Sequence, residues 1–195
     1  MNASVPAPRP AYGRRVELLT VGHGTLDQGG FGGLVRDSGI ELVVDVRRFP
    51  GSRRNPQFAR DAMAQWLPDA GVAYEWEERL GGRRRTSKDS PNPGLRNAAF
   101  RGYADYMATP PFAAALGSVL GRAEGARTAV MCAESLWWRC HRRLIADAAR
   151  LLHDVDVRHL MHDGSLRPHA TTPGAAVRDD RVAYPAPAGH QARML

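Results

Sequence analysis

The sequence predicts a single-domain α/β fold, a mostly parallel β-sheet with helices on both faces, and three observations carry that prediction. Strand-like runs alternate with helix-like runs along the chain, the pattern of successive βαβ units. The runs near residues 41–46 and 128–131 are short and nearly all apolar, as strands covered on both faces are. A chain of 195 residues with 43% apolar and 24% charged content supports one core and is short for two.

Each element has its own signal. Residues 17–21 (Glu17, Leu18, Leu19, Thr20, Val21) read as a first strand that ends at Gly22, His23 and Gly24. A helix is expected over about 26–37, against the weak helix propensity of Gly29, Gly30, Gly32 and Gly33. Residues 41–46 make the second strand, and 57–67 read as a helix stopped by Pro68. Residues 72–76 alternate as a third strand, followed by a long polar loop from 81 to about 97. Residues 103–120 are mostly helical, broken into two pieces by Pro110 and Pro111. The run at 128–131 is a fourth strand, and Leu144, Ile145, Ala148 and Leu151 mark the helix after it. Residues 157–161, a turn at 162–165, then Leu166 and Arg167 close the domain as a strand and hairpin. Residues 1–14 read as a disordered Pro- and Ala-rich arm, 15–170 as the domain, and 171–195 as a Pro-containing tail of the same disordered kind.

The formal net charge is +7 and the sequence pI about 10.2. Of the 27 basic residues Lys88 is the lone lysine, and arginine offers the planar fork that suits carboxylate and phosphate. No apolar run approaches the roughly 18 residues of a membrane span, so no membrane partner is expected. The first residues lack the apolar core of an export signal, and two cysteines fit a reducing compartment, so a cytoplasmic location is expected. Nucleic acid is expected to bind weakly, without sequence specificity and with strong salt dependence, since no recognised nucleic-acid-binding motif is present.

Parallel strands deliver their C-terminal ends to one edge of the sheet, where open α/β folds bind ligands. The exits here carry His23, then Asp45 and Arg47, then Gly81, Gly82 and Arg83, then the run from Cys132 through Glu134, Arg139, Cys140 and His141 to Arg142. Tyr103 and Arg101 come from the helix expected alongside. This concentration points to a small anionic ligand or nucleotide. Cys132 is the candidate nucleophile, its thiol expected to ionise at a helix N-terminus beside arginines and to react faster than Cys140. Glu134 and His141 are the candidate acid and base. Arg47, Arg139 and Arg142, with His23, Asp45, Gly81, Gly82, Arg83 and Tyr103, are the candidate ligand-binding residues. The same segment also admits a metal or cofactor held by Cys, His and Glu, or a disulfide between Cys132 and Cys140. It lacks the usual zinc spacings, and Cys140 and His141, taken as neighbours inside a helix, point about 100° apart. No cofactor is assigned. Nucleic-acid binding through the arginines, Trp137 and Trp138 is the remaining alternative. Asp45 is a candidate to orient His23 or Arg47 or to cap its turn, and His159, His162 and His169 read as surface or capping groups.

Taken together, Thr20–Val21–Gly22–His23, Asp45–Val46–Arg47, Pro50 and Ser52, residues 71–74, Leu80–Gly81–Gly82–Arg83, residues 100–104, Met131–Cys132–Ala133–Glu134 and Cys140–His141–Arg142 resemble the domain-of-unknown-function 488 family. The hairpin from His159 to His169 fits too, so the likeness spans about residues 17–175. The resemblance implies an α/β fold and these site positions, and no established activity. Gly24 stands where the family usually has Ser or Thr after the glycine-histidine pair.

Overall fold

The computed structural model describes residues 15–51 and 54–187. The arm expected at residues 1–14, and residues 188–195 of the expected tail, lie outside the described residues.

Six strands make one sheet: β1 (Glu17–Gly22), β2 (Leu42–Asp45), β3 (Ala73–Trp76), β4 (Thr128–Cys132), β5 (Asp156–Leu160) and β6 (Leu166–Pro168). Their order is β3-β2-β4-β1-β5-β6. Every pairing is parallel except β5 with β6. The sheet is the mostly parallel one that the alternating pattern predicts, and the hairpin after β5 is present.

The central strands alternate between two cores. Leu18, Val44 and Val130 face one side, under α3 (Ala98–Met107), α4 (Pro110–Gly125) and α5 (Arg142–His153). Leu19, Val21, Val43, Ala129 and Met131 face the other, under α1 (Gln28–Asp37) and α2 (Arg60–Asp69). A strand buried on both faces has no polar side to show, which is why these runs read as continuously apolar. Helix α1 forms despite its glycines because Asp27 caps it, accepting from Gly30 N, and Phe31 and Val35 anchor one face in the core.

Several boundaries differ from the sequence reading, among them the start of α2, which is Arg60 behind a 3-10 turn at Pro56–Phe58 and not residue 57. Pro68 lies within the last turn of α2 rather than ending it, and the chain turns at Ala70. Helix α3 begins at Ala98, five residues before the expected start, because Asn97 accepts from Ala99 N and caps it; Thr109, Pro110 and Pro111 then start α4. The segment after Thr171 is not a free tail in its described part. It forms a hairpin of β7 (Ala176–Arg178) and β8 (Arg181–Ala183), and Val182 and Tyr184 are buried in the α3–α5 core.

Candidate functional site

β1, β2 and β4 lie side by side, so their C-terminal ends bring Gly22, Asp45 and Cys132 to one edge. Above them opens a cavity of about 680 Å³, lined by Arg47, Arg48, Arg54, Gly82, Arg83, Tyr103, Cys132, Glu134, Arg139, Cys140 and His141 among others.

The floor is built by the segment after β4. The chain leaves Cys132, makes a 3-10 turn at Trp137–Arg139, and returns with Cys140 extended (φ −119°, ψ 152°) and His141 as the residue before α5 (φ −61°, ψ −17°). Cys140 and His141 are therefore not neighbours inside a helix, and both side chains reach the same spot. His141 Nδ1 lies 3.6 Å from Cys140 Sγ and 4.0 Å from Cys132 Sγ. His141 Nε2 is 3.1 Å from Val46 O; a carbonyl accepts, so Nε2 donates and Nδ1 is the nitrogen turned to the two sulfurs.

Arg142 sits beneath this floor, 1% exposed. It donates from Nε to Cys140 Sγ at 3.4 Å and from Nη2 to the Glu134 carbonyl. It is thus a buried strut for the loop and not a rim cation, because α5 starts at this residue and points it inward. The electrostatics of the thiols also reverse the sequence expectation. The Cys140 thiol is held well below the usual thiol range by the hydrogen bond from Cys132, helped by His141 and Arg142. Cys132 is pushed well above that range by the same hydrogen bond and by burial. The physical reason is local: a loop and a 3-10 turn follow Cys132, whereas Cys140 stands two residues before the helix start and beside its first arginine.

The wall on the β2 side is a paired layer. Asp45, fully buried, accepts from Arg47 Nη2 at 2.5 Å, from Arg47 N at 3.0 Å and from Tyr74 Oη at 2.8 Å. Asp45 both caps its turn and holds the guanidinium, which also donates to Phe58 O at 2.7 Å. His23 stacks on Phe58 with centroids 4.1 Å apart and lies 3.4 Å from Arg47 Nη1. Burial, with Arg47 beside it, lowers the His23 imidazole to about 4. His23 and Asp45 support the pocket from behind and do not line it.

The remaining candidates divide. A side chain at Gly81 would collide with Arg48, its Cβ 2.8 Å from the Arg48 nitrogen, so that glycine serves the meeting of two loops. Gly82 faces the His141 ring across the pocket floor. Tyr103 presents its ring 5.1 Å from that of His141 and ties its hydroxyl to Leu80 O at 2.6 Å. Burial pushes this phenol well up, so its hydroxyl is fixed as a donor. Arg83 holds a left-handed backbone at φ +60°. Glu134 and Arg139 lie on the lining, and Glu134 Oε1 accepts from Leu136 N at 3.2 Å. Arg101 bonds back to Leu95 O and Arg96 O and does not line the cavity.

Phe49, Arg54 and Ser135 also line the cavity and were not candidates from the sequence, whereas Arg48, which follows Asp45–Val46–Arg47 at the second strand exit, lines it as the arginines there were expected to. Gly24, at φ +55°, has no room for a side chain against His162 and Ser135, which accounts for glycine at this departure from the family pattern. His159 and His169, read as surface or capping groups, are buried. Trp137 stacks on His159 at 3.9 Å, while Trp138 remains exposed.

No curated protein and no solved structure matches the chain. A family model does: that of the domain of unknown function DUF488 matches residues 30–149, which include β2, β3, β4 and most of α5. That span covers more than half the chain and carries the Asp45–Arg47 layer together with the Cys132–His141 floor. The chain belongs to the DUF488 family.

Proposed function

We propose that this protein is a thiol-dependent enzyme acting on an anionic, phosphate-bearing or nucleotide-like substrate, bound over Cys132, Cys140 and His141. The carrying observation is the combination in one cavity of that Cys–Cys–His floor with a rim of Arg48, Arg54, Arg83 and Arg139. None of these four arginines has a carboxylate partner among the described residues, whereas Arg15, Arg36, Arg60, Arg79, Arg122, Arg127 and Arg158 are ion-paired elsewhere. Arginine binds phosphate through a planar fork of donors, and the cavity walls concentrate the field of the rim. Strained backbone at Arg83 supports the same reading, since a non-glycine residue in the left-handed region costs about 1–3 kcal/mol and is retained where the site requires it. On this reading the rim holds the anion, the floor carries the reacting groups, and the Glu134 carboxylate stands ready to move a proton.

The pocket reading is preferred to a nucleic-acid surface because these four arginines without a carboxylate partner share one concavity with the Cys–Cys–His floor, although others, such as Arg96, Arg167 and Arg178, lie elsewhere. Calorimetric titration with inorganic pyrophosphate tests it. Arg48→Ala and Arg139→Ala should each weaken binding about 10-fold or more, the size of a lost charge-assisted hydrogen bond. Arg178→Ala, on the β7–β8 hairpin, should leave binding unchanged. Equal affinity in all three variants overturns the proposal.

A further inference from the structure

We propose that Cys132 Sγ, Cys140 Sγ and His141 Nδ1 form a three-ligand zinc site whose fourth position opens into the arginine-rimmed cavity.

The three donor atoms lie within 4.8 Å of one another. A tetrahedral zinc with Zn–S of about 2.3 Å and Zn–N of about 2.0–2.1 Å requires S···N and S···S edges of about 3.6 and 3.8 Å. The observed S···N edges of 3.6 and 4.0 Å differ from that by a few tenths of an ångström at most. Two soft thiolates and an imidazole select zinc-like cations over magnesium or calcium, which seek oxygen.

The surroundings match the donor set. A metal-binding histidine is oriented by a partner for its other nitrogen, and here Val46 O accepts from Nε2 at 3.1 Å. That bond turns Nδ1 to the sulfurs. Arg142 Nε–H points at Cys140 Sγ at 3.4 Å, as a donor that supports a thiolate. Both thiols are free. On binding, each sulfur bonds to the metal as a thiolate and any proton it carries leaves to solvent. The dication and two thiolates then sum to zero charge, which suits a buried floor. Three protein ligands and an open position are the arrangement of catalytic rather than structural zinc. Cys132, Cys140 and His141 all line the cavity, so that position faces the place where the anion would lie. The inference deepens the function proposed above by making the two thiols and the imidazole metal ligands, so that the reacting group of the floor is the one at the fourth position; the role of that position rests on that reading, and the metal does not.

The test is an anaerobic titration of the reduced, chelator-treated full-length chain with Co2+, followed by competition with Zn2+. A single equivalent of cobalt should produce thiolate-to-cobalt charge-transfer absorption and the intense visible bands of a tetrahedral centre, and zinc should abolish both. Cys140→Ser and His141→Ala should weaken binding by more than the roughly 10–100-fold that loss of a supporting outer partner costs. Gly82→Ala retains every ligand, yet its methyl would stand 3.0 Å from His141 Nδ1. It should weaken cobalt about 10-fold with an unchanged circular dichroism spectrum, so the proposal does not depend on whether the ligand variants fold. Absence of the charge-transfer band in the wild-type chain, or a band that His141→Ala leaves unaltered, overturns the site. Pyrophosphate binding that survives without a cobalt band leaves the pocket proposal standing and the metal refuted; a cobalt band without anion binding does the reverse.

Discussion

The Asp45–Arg47 pair is where single residues matter most to the scaffold. The two side chains are 0% and 7% exposed and meet at 2.5 Å. Removing one partner of a buried ion pair leaves the other desolvated and uncompensated, a loss of about 3–5 kcal/mol. Asp45→Asn should therefore lower stability by about that amount in urea unfolding, and a change under 1 kcal/mol would show that the Arg47 bonds to Phe58 O suffice. This partnership was legible in the sequence, because a carboxylate two residues before an arginine at a strand exit has few other places to go. The Cys140–His141 convergence was not. Read as helix, the two residues point apart, and their meeting depends on the extended backbone of Cys140 and a helix that starts at Arg142. Such a late start has no composition signal, since Trp, Arg and Cys all tolerate helices.

At the scale of elements, a buried polar chain ties β1, β5, β6, α5 and the C-terminal hairpin together. Thr20 Oγ1 lies 2.7 Å from His159 Nδ1, His159 Nε2 is 3.0 Å from His169 Nδ1, and His169 Nε2 meets Asp147 Oδ1 at 2.9 Å. Tyr184 donates its hydroxyl to Asp147 Oδ2 at 2.8 Å. Burial, with His169 and Arg142 nearby, lowers His159 to about 3. In the unfolded chain an ordinary imidazole takes up its proton near pH 6.5. Below that pH the unfolded state thus binds the extra proton, so this contribution is whole above about pH 6.5. It falls by about 1.4 kcal/mol per pH unit as the pH drops toward 3. Urea unfolding at pH 7 and pH 5 should show a His159→Gln variant losing about 2 kcal/mol less than the wild type over that interval. Identical losses would mean that His159 is not held neutral. The strands of the parallel sheet were legible because burial on both faces leaves a continuous apolar run. Strands β7 and β8 were not, because three residues each, flanked by prolines, show neither alternation nor a run. What orders them is the reach of Tyr184 to Asp147, a contact between residues distant in the chain.

For the molecule as a whole, the site comes from strand order more than from any motif. The insertion of β4 between β2 and β1 brings Cys132 between Asp45 and Gly22, and order within a parallel sheet is set by crossovers that local sequence does not encode. The sequence could say that the exits share an edge; it could not say which are adjacent. No helix among the described residues is long and apolar enough to cross a membrane. Four arginines without a carboxylate partner among the described residues surround a cavity whose floor is sulfur and imidazole. The most direct test of this account is a crystal structure of the protein grown with a nucleoside monophosphate. Phosphoryl oxygens are expected on the guanidinium groups of Arg48, Arg83 and Arg139, over Cys132, Cys140 and His141. A nucleotide ordered elsewhere on the surface, with this cavity holding solvent, would contradict it.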